Sequence, residues 1–415
     1  MTESSSTRAL IPILVSAGIL LGGNGLLVTL VTVRANIEGF SPTLIGLIGT
    51  AYFIGFFVGC LTTAKLIQRA GHIRVFAALS ATVAITVLGM GLITEPWAWA
   101  VMRALAGFSF SGVIMVIESW LNEASANADR GRTLSLYRVV DLFSVTGAQF
   151  ILPAVGAEQF AIFAVTAILF CLSLIPVSLS RATSPRPPAS ARLRPLAIWM
   201  LSPVAGMGCL TLGLTNSAFR TIGPVYAQDM GLSVEQVAVF MSLGILAGAV
   251  FQYPLGWLSD RFDRRLVLIV ATAGAALSSL ALSSFGHLGP TQIYAGGFLF
   301  GGFSLPLYSL SAAHANDHAG PGQFVELAAG LLLFYAIGAS VGPLIAAVCI
   351  ARFGPASMFL YTSTLHFWFV GFLGYRMTRR AAAPRILGKR FVGLLRTSPA
   401  IFRLSRANGD KGNSP

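Results

Sequence analysis

The sequence predicts an all-α membrane protein, with twelve transmembrane helices in two pseudo-symmetric six-helix halves. Three observations carry that expectation. The 415 residues are 55% hydrophobic and only 10% charged, with a mean hydropathy of +0.76, outside the range of soluble domains. The apolar residues gather in runs of roughly 20, the length that crosses the hydrocarbon core. Midway, "SRATSPRPPASARLRP" is too rich in proline, serine and arginine for a helix and reads as a linker.

Taken in order, the first-half runs cover about residues 10–33, 43–63, 74–94, 97–118, 133–153 and 158–179. Those of the second cover about 197–218, 234–255, 266–286, 290–312, 324–349 and 355–375. Each is closed by charges, by a Gly/Pro turn or by a polar cluster. The expected domains are therefore a half at 1–180, a linker at 181–196, a half at 197–376 and a basic tail at 377–415. The first run is too long for a signal-peptide core and has no small-residue cleavage site, so it reads as a retained span.

With the N-terminus inside, cytoplasmic segments carry 23 of the 28 Lys and Arg residues, against three in outer loops, Arg34, Arg220 and Arg352. That bias satisfies the positive-inside rule and places both termini in the cytoplasm. The net charge of +13 then reflects topology and anionic lipid headgroups, with no call for nucleic acid. The tail segment "ILGKRFVGLLR" alternates basic and bulky apolar residues, as either an amphipathic helix on the inner leaflet or a disordered tail would.

The halves repeat. A shift of 192 residues lays "GFSPTLIGLI" from Gly39 over "GLSVEQVAVF" from Gly231, and "AKLIQRAG" from Ala64 over "GWLSDRFD" from Gly256. Direct repeats of this kind imply a pseudo-two-fold axis along the membrane normal with a pathway between the halves.

Five of the six positions from Asp260 to Arg265 are charged, in the turn between the eighth and ninth runs. Here the chain resembles the major facilitator superfamily, whose loops between spans two and three, and again eight and nine, carry a glycine, then Asp-Arg, then further basic residues. The second copy supplies Gly256, Asp260, Arg261, Arg264 and Arg265, with Asp263 where the family has glycine; the first keeps Arg69, Gly71 and Arg74 but has Ala64 and Gln68. The resemblance covers about residues 8–380 and implies a secondary transporter in which these loops latch helices together. "ESWLNE" at 118–123 and "AHAND" at 313–317 resemble the YcaD-like bacterial branch, which implies a bacterial inner-membrane location.

Ionisable side chains within the spans are few: Arg103, Glu118, Arg138, Asp141 and Glu326. Each costs about 2.5–3.5 kcal/mol or more against lipid, so each is a functional candidate by default. Asp141 and Arg138, three residues apart, share a helix face, either as a self-neutralised packing pair or as a protonation switch. Arg103, followed by Gly107, matches a fourth-span pattern that the family resemblance ties to proton coupling; a helix-pinning hydrogen bond is the alternative. Glu118 is a further coupling candidate, with pairing to Arg69 or Arg74 as its structural alternative, and Glu326 is expected to answer a latch arginine.

Asn24, Tyr52, Tyr137, Gln149, Asn216 and Gln252 lie on spans that border the central cavity in the family the chain resembles, and are expected to line it or to bond helix to helix. The small residues of "GASVGP", Gly338 to Pro343, suit close helix packing, and His314 and His318 an interfacial loop. Cys60, Cys171, Cys209 and Cys349 stand alone without metal-ligand spacing, and no nucleotide-binding loop or hydrolase motif occurs. The expectation is a monomeric secondary transporter of a small solute, coupled to protons, with no metal, cofactor or enzymatic activity. A non-transporting sensor or scaffold is the rival, favoured by Ala64 and Gln68 and opposed by the intramembrane charges.

Overall fold

The computed structural model describes residues 3–124, 130–179, 199–284, 289–318 and 324–379. The linker at 181–196 and the tail from residue 380 onward lie outside them, as does the side chain of Glu326. The described residues form helices and turns, without a strand.

Among the described residues twelve long helical rods follow one another. In the first half they are α1 (Glu3–Ile37), α2 (Pro42–Ala70), α3 (His72–Leu92), α4 (Pro96–Ala124), α5 (Arg130–Ala148, resumed at Ile151–Val155) and α6 (Phe160–Leu172, resumed at Leu174–Ser178). In the second they are α7 (Pro203–Asp229), α8 (Val234–Arg261), α9 (Arg264–Ser284), α10 (Pro290–Ser304, resumed at Leu307–Asn316), α11 (Phe324–Phe353) and α12 (Ser357–Arg379).

Three of these rods are broken where the sequence suggests continuous spans. At each break a side chain bonds backbone or meets a proline. Gln149 Nε2 donates to Gly25 O at 3.2 Å beside the break in α5. The Ser16 hydroxyl donates to the carbonyl of Ser173, the residue that interrupts α6. Pro306, which has no N–H to donate, interrupts α10.

Helices also outrun their apolar runs. Arg220, expected in an outer loop, lies inside α7, because Ile222, Val225, Tyr226 and Ala227 beyond it are fully buried and continue the helix. His314, expected at an interface, is 8% exposed in the last turn of α10.

Ten of the helices are long and apolar enough to cross a membrane, by length and composition. The other two, α7 and α12, have the length of a span but carry polar residues such as Thr215, Asn216, Thr362 and His366, all buried within their own unit. Large apolar side chains such as Leu92, Trp97, Phe143 and Tyr253 face outward, as on a lipid-facing surface.

The chain divides into two compact units, one built from α1–α6 without residues 41–46 at the start of α2, and the other from α7–α12 together with those residues. In the first, α1 packs on α5 and α6, and α3 on α4 and α6. In the second, α7 packs on α11 and α12, and α9 on α10 and α12, the same pairings displaced by six helices, and α8 packs on α10. Glycines allow the closest approaches. A Cβ at Gly107 on α4 would stand 2.0 Å from Tyr52 O on α2, and one at Gly338 on α11 would stand 2.3 Å from Leu210 O on α7.

The repeat is visible in local geometry. Gly39 and Gly231 both hold positive φ, at 75° and 85°, in the turn before the second helix of each half. Ser41 and Ser233 follow two residues later, and each side chain accepts a backbone N–H at 3.4 Å. In the second half Gln236 completes a capping box, returning a 3.0 Å bond to Ser233 N.

Candidate functional site

The polar residues singled out by sequence gather into three groups. The first joins α1, α2 and α4. The Tyr52 hydroxyl donates to Asn24 Oδ1 at 3.1 Å, and the Arg103 guanidinium lies over the Tyr52 ring, 4.3 Å from its centroid. All three are buried, Arg103 at 2% exposure, and Arg103 Nε and Nη1 have no hydrogen-bond partner. Gly107, one turn beyond Arg103, lets α2 approach closely enough to set the ring over the cation.

The second group lies further along α4, on α4 and α5. Arg138 Nη1 meets Asp141 Oδ2 at 3.3 Å, and both side chains are partly exposed. Tyr137, buried beside them, interacts electrostatically with Glu118 on α4 as well as with Asp141 and Arg138. Glu118 is 2% exposed, whereas Arg69 and Arg74 are exposed at the end of α2 and the start of α3. Fifteen residues of helix separate Arg103 from Glu118, about 22 Å at 1.5 Å per residue.

The third group is the charged turn between α8 and α9. Arg264 is its hub: Nε donates to Asp317 Oδ2 at 2.8 Å, Nη1 to Ser259 Oγ at 2.9 Å and Nη2 to Asp260 Oδ1 at 3.2 Å. Arg261 stacks on the Trp257 ring at 3.9 Å, and Gly256 is buried in α8. Asp263 caps α9, accepting Arg265 N at 2.9 Å, while its other oxygen takes Arg265 Nη2 at 2.9 Å. Burial by itself would raise the Asp263 carboxyl; the bonds from Arg265 outweigh it and hold the group below its ordinary value. At the corresponding position in the first half, Gly71 caps α3 with φ +81° and no side chain. The two halves close the same turn by different means: backbone freedom in one, a charge-assisted cap in the other.

The remaining candidates serve helix contacts or stand open. Gln149 ties α5 to α1, and Gln252 Nε2 donates to Ser309 Oγ at 3.4 Å between α8 and α10. Asn216, fully buried on α7, has no hydrogen-bond partner at either amide atom. It stands 192 residues from Asn24, so the repeat carries this asparagine too. Tyr52 has Gly244 as its counterpart, where a Cβ would meet the Phe219 ring at 2.7 Å, so the second half builds no tyrosine–arginine pair there.

Sequence reasoning missed Asp317 as the partner of Arg264, although it closes the quoted "AHAND". It also missed His366, fully buried on α12. Its Nδ1 faces Thr362 O at 2.6 Å and its Nε2 faces the Ser304 hydroxyl at 3.4 Å, beside the break in α10. A histidine on a mixed-polarity helix gives no sequence signal that separates it from an exposed one. Among the described residues no cluster of His, Cys, Asp or Glu is arranged to hold a metal.

The family model described as Major Facilitator Superfamily matches residues 13–288 and, a second time, 205–407. The MFS-type transporter YcaD of Escherichia fergusonii is 26% identical over 325 residues, covering 78% of this chain and 84% of that protein. An MFS-type transporter of Enterobacter sp. (strain 638) is 25% identical over 344 residues, covering 82% and 88%. Among solved structures, the nucleoside transporter NupG superposes with TM-score 0.75 at 11% identity, over 90% of this chain and 99% of that one. A D-xylose-proton symporter superposes with TM-score 0.68 at 15% identity, over 92% and 99%. At such identities the structural likeness establishes the fold alone.

Proposed function

The chain belongs to the Major Facilitator Superfamily of membrane transporters, and on that premise we propose that it moves a small solute across a bacterial inner membrane by proton-coupled alternating access. Two six-helix units related by a direct repeat are the architecture in which one half rocks against the other around a midplane site. The excess of basic residues in alternate loops supports an orientation with both termini in the cytoplasm.

The observation that carries proton coupling is the Arg138–Asp141 ion pair within α5, a helix long and apolar enough to cross a membrane. Arg138 pairs with Asp141 at 3.3 Å, three residues away on one helix, and Glu118 is buried on α4 within electrostatic range of Tyr137. Separating Arg138 from Asp141 during the transport cycle removes the cation that favours the charged carboxylate, so the acid takes up a proton in one conformation and releases it in the other. The charged turn between α8 and α9, centred on Arg264, serves as a conformational latch. Asn216 and Gln252 are candidate solute contacts in the second half, and the protein works as a monomer without cofactor.

The test is proton movement in proteoliposomes under an imposed pH gradient, screened against metabolites and antimicrobial compounds, with Asp141→Asn beside the parent. Solute-dependent proton flux that the substitution abolishes is the expected result. Flux unchanged in rate and pH dependence in Asp141→Asn overturns the coupling assignment. Folded protein that moves no compound favours the sensor or scaffold reading, to which the degenerate Ala64 and Gln68 positions also point.

A further inference from the structure

We propose that Arg103, Tyr52 and Asn24 form the binding site for the carboxylate of a small organic monoanion, which makes the transported solute an organic acid. The inference rests on the transporter reading above and deepens it.

A guanidinium keeps its charge in a protein, so Arg103 stands in the first unit as a buried cation. Burying such an ion costs several kcal/mol unless a partner compensates. None of the ion pairs among the described residues includes Arg103, and two of its nitrogens have no hydrogen-bond acceptor. The Tyr52 ring face, 4.3 Å away, compensates it only in part. The arrangement is short of one negative charge.

The neighbours set what kind of anion fits. Asn24 Oδ1 is already taken by the Tyr52 hydroxyl, which leaves the amide nitrogen, a donor, as its open end. Arg103 and Asn24 therefore offer donors. Guanidinium and carboxylate are planar groups whose donors and acceptors match, so a carboxylate satisfies Arg103 better than a spherical ion does. Arg103 is the one buried arginine or lysine among the described residues of this unit, so one negative charge balances the site and a dianion does not. Phe53 and Phe56 pack against Tyr52 at 5.3 and 6.3 Å, giving the rest of the acid apolar company.

The experiment is thermal unfolding of the purified full-length protein with acetate, lactate and benzoate against acetamide, lactamide and benzamide, chloride holding ionic strength constant. At least one carboxylate is expected to raise the melting temperature saturably while its amide does not. Arg103→Gln should weaken that response at least tenfold and, without ligand, melt no lower than the parent, since it removes an uncompensated charge. Asn24→Asp is the second variant: a carboxylate supplied by the protein within the same cluster, linked to Arg103 through Tyr52, should raise the ligand-free melting temperature and abolish the response. The inference is overturned if none of the three carboxylates acts, if Arg103→Gln responds like the parent, or if Arg103→Gln melts lower without ligand. Solute-dependent proton flux from the same preparation separates the readings: flux without carboxylate binding sinks this inference and leaves proton-coupled transport standing.

Discussion

Arg264 and Asp317, 53 residues apart, meet at 2.8 Å and join the start of α9 to the end of α10. Both side chains are largely buried, at 12% and 23% exposure, and Arg264 also holds Ser259 and Asp260 at the end of α8. One guanidinium thus ties three helix ends together.

Removing the acid leaves that guanidinium with weaker partners. Asp317→Asn is expected to destabilise the protein by about 1–3 kcal/mol, since a bond to a charged group is lost while the other charge stays largely buried. Asp317→Glu should recover part of it. Thermal unfolding of the three proteins in one detergent checks the order.

The Asp263 cap gives a pH dependence of known sign. Its carboxyl titrates lower in the folded chain than in the unfolded one, so its contribution is fully present above the unfolded value, near 3.8, and is lost as pH falls through the folded value. Melting temperature should therefore show no Asp263-dependent change between pH 7 and 5. Below about pH 4 the parent should lose this increment, and the gap between parent and Asp263→Asn should close. A gap that widens on acidification contradicts the assignment.

The close approach of α2 and α4 allows no extra atom. Gly107→Ala would place a Cβ 2.0 Å from Tyr52 O, so the helices must separate, at about 1–3 kcal/mol. Because that contact also seats the Tyr52 ring over Arg103, transport should fall more than stability alone explains. Flux per folded molecule, with folded protein counted by gel filtration, makes the comparison.

Tyr137→Phe keeps the ring and removes a buried hydroxyl within electrostatic range of Glu118 and Asp141. If that hydroxyl relays the coupled proton, proton-driven flux falls about tenfold or more, within the range of a lost acid–base group. Solute exchange at equal pH on both sides, which needs no net proton movement, should be spared. Equal loss in both assays indicates a packing role for Tyr137.

Much of the fold was legible in the chain because membrane spans are written in length and apolarity, and the linker and the repeat in composition and register. The breaks in α5 and α6 were not, since each coincides with a bond to a partner helix: Gly25 O receives Gln149, and Ser16 finds Ser173 O. The twelfth-helix His366 was silent for the same reason, its two ring nitrogens being satisfied by Thr362 and by Ser304 on another helix.

What the sequence determined by itself was the class of protein, its two-fold repeat and the short roster of polar residues inside apolar runs. Lipid cannot solvate backbone or charge, so those features must appear in the primary structure. What the tertiary structure decided was which of these residues meet. Asn24, Tyr52 and Arg103 come from three helices, and Glu118 and Tyr137 from two, because helix packing brings together side chains that sequence separation conceals. The pair within one helix, Arg138 and Asp141, was readable from spacing, since 3.6 residues per turn places them on one face.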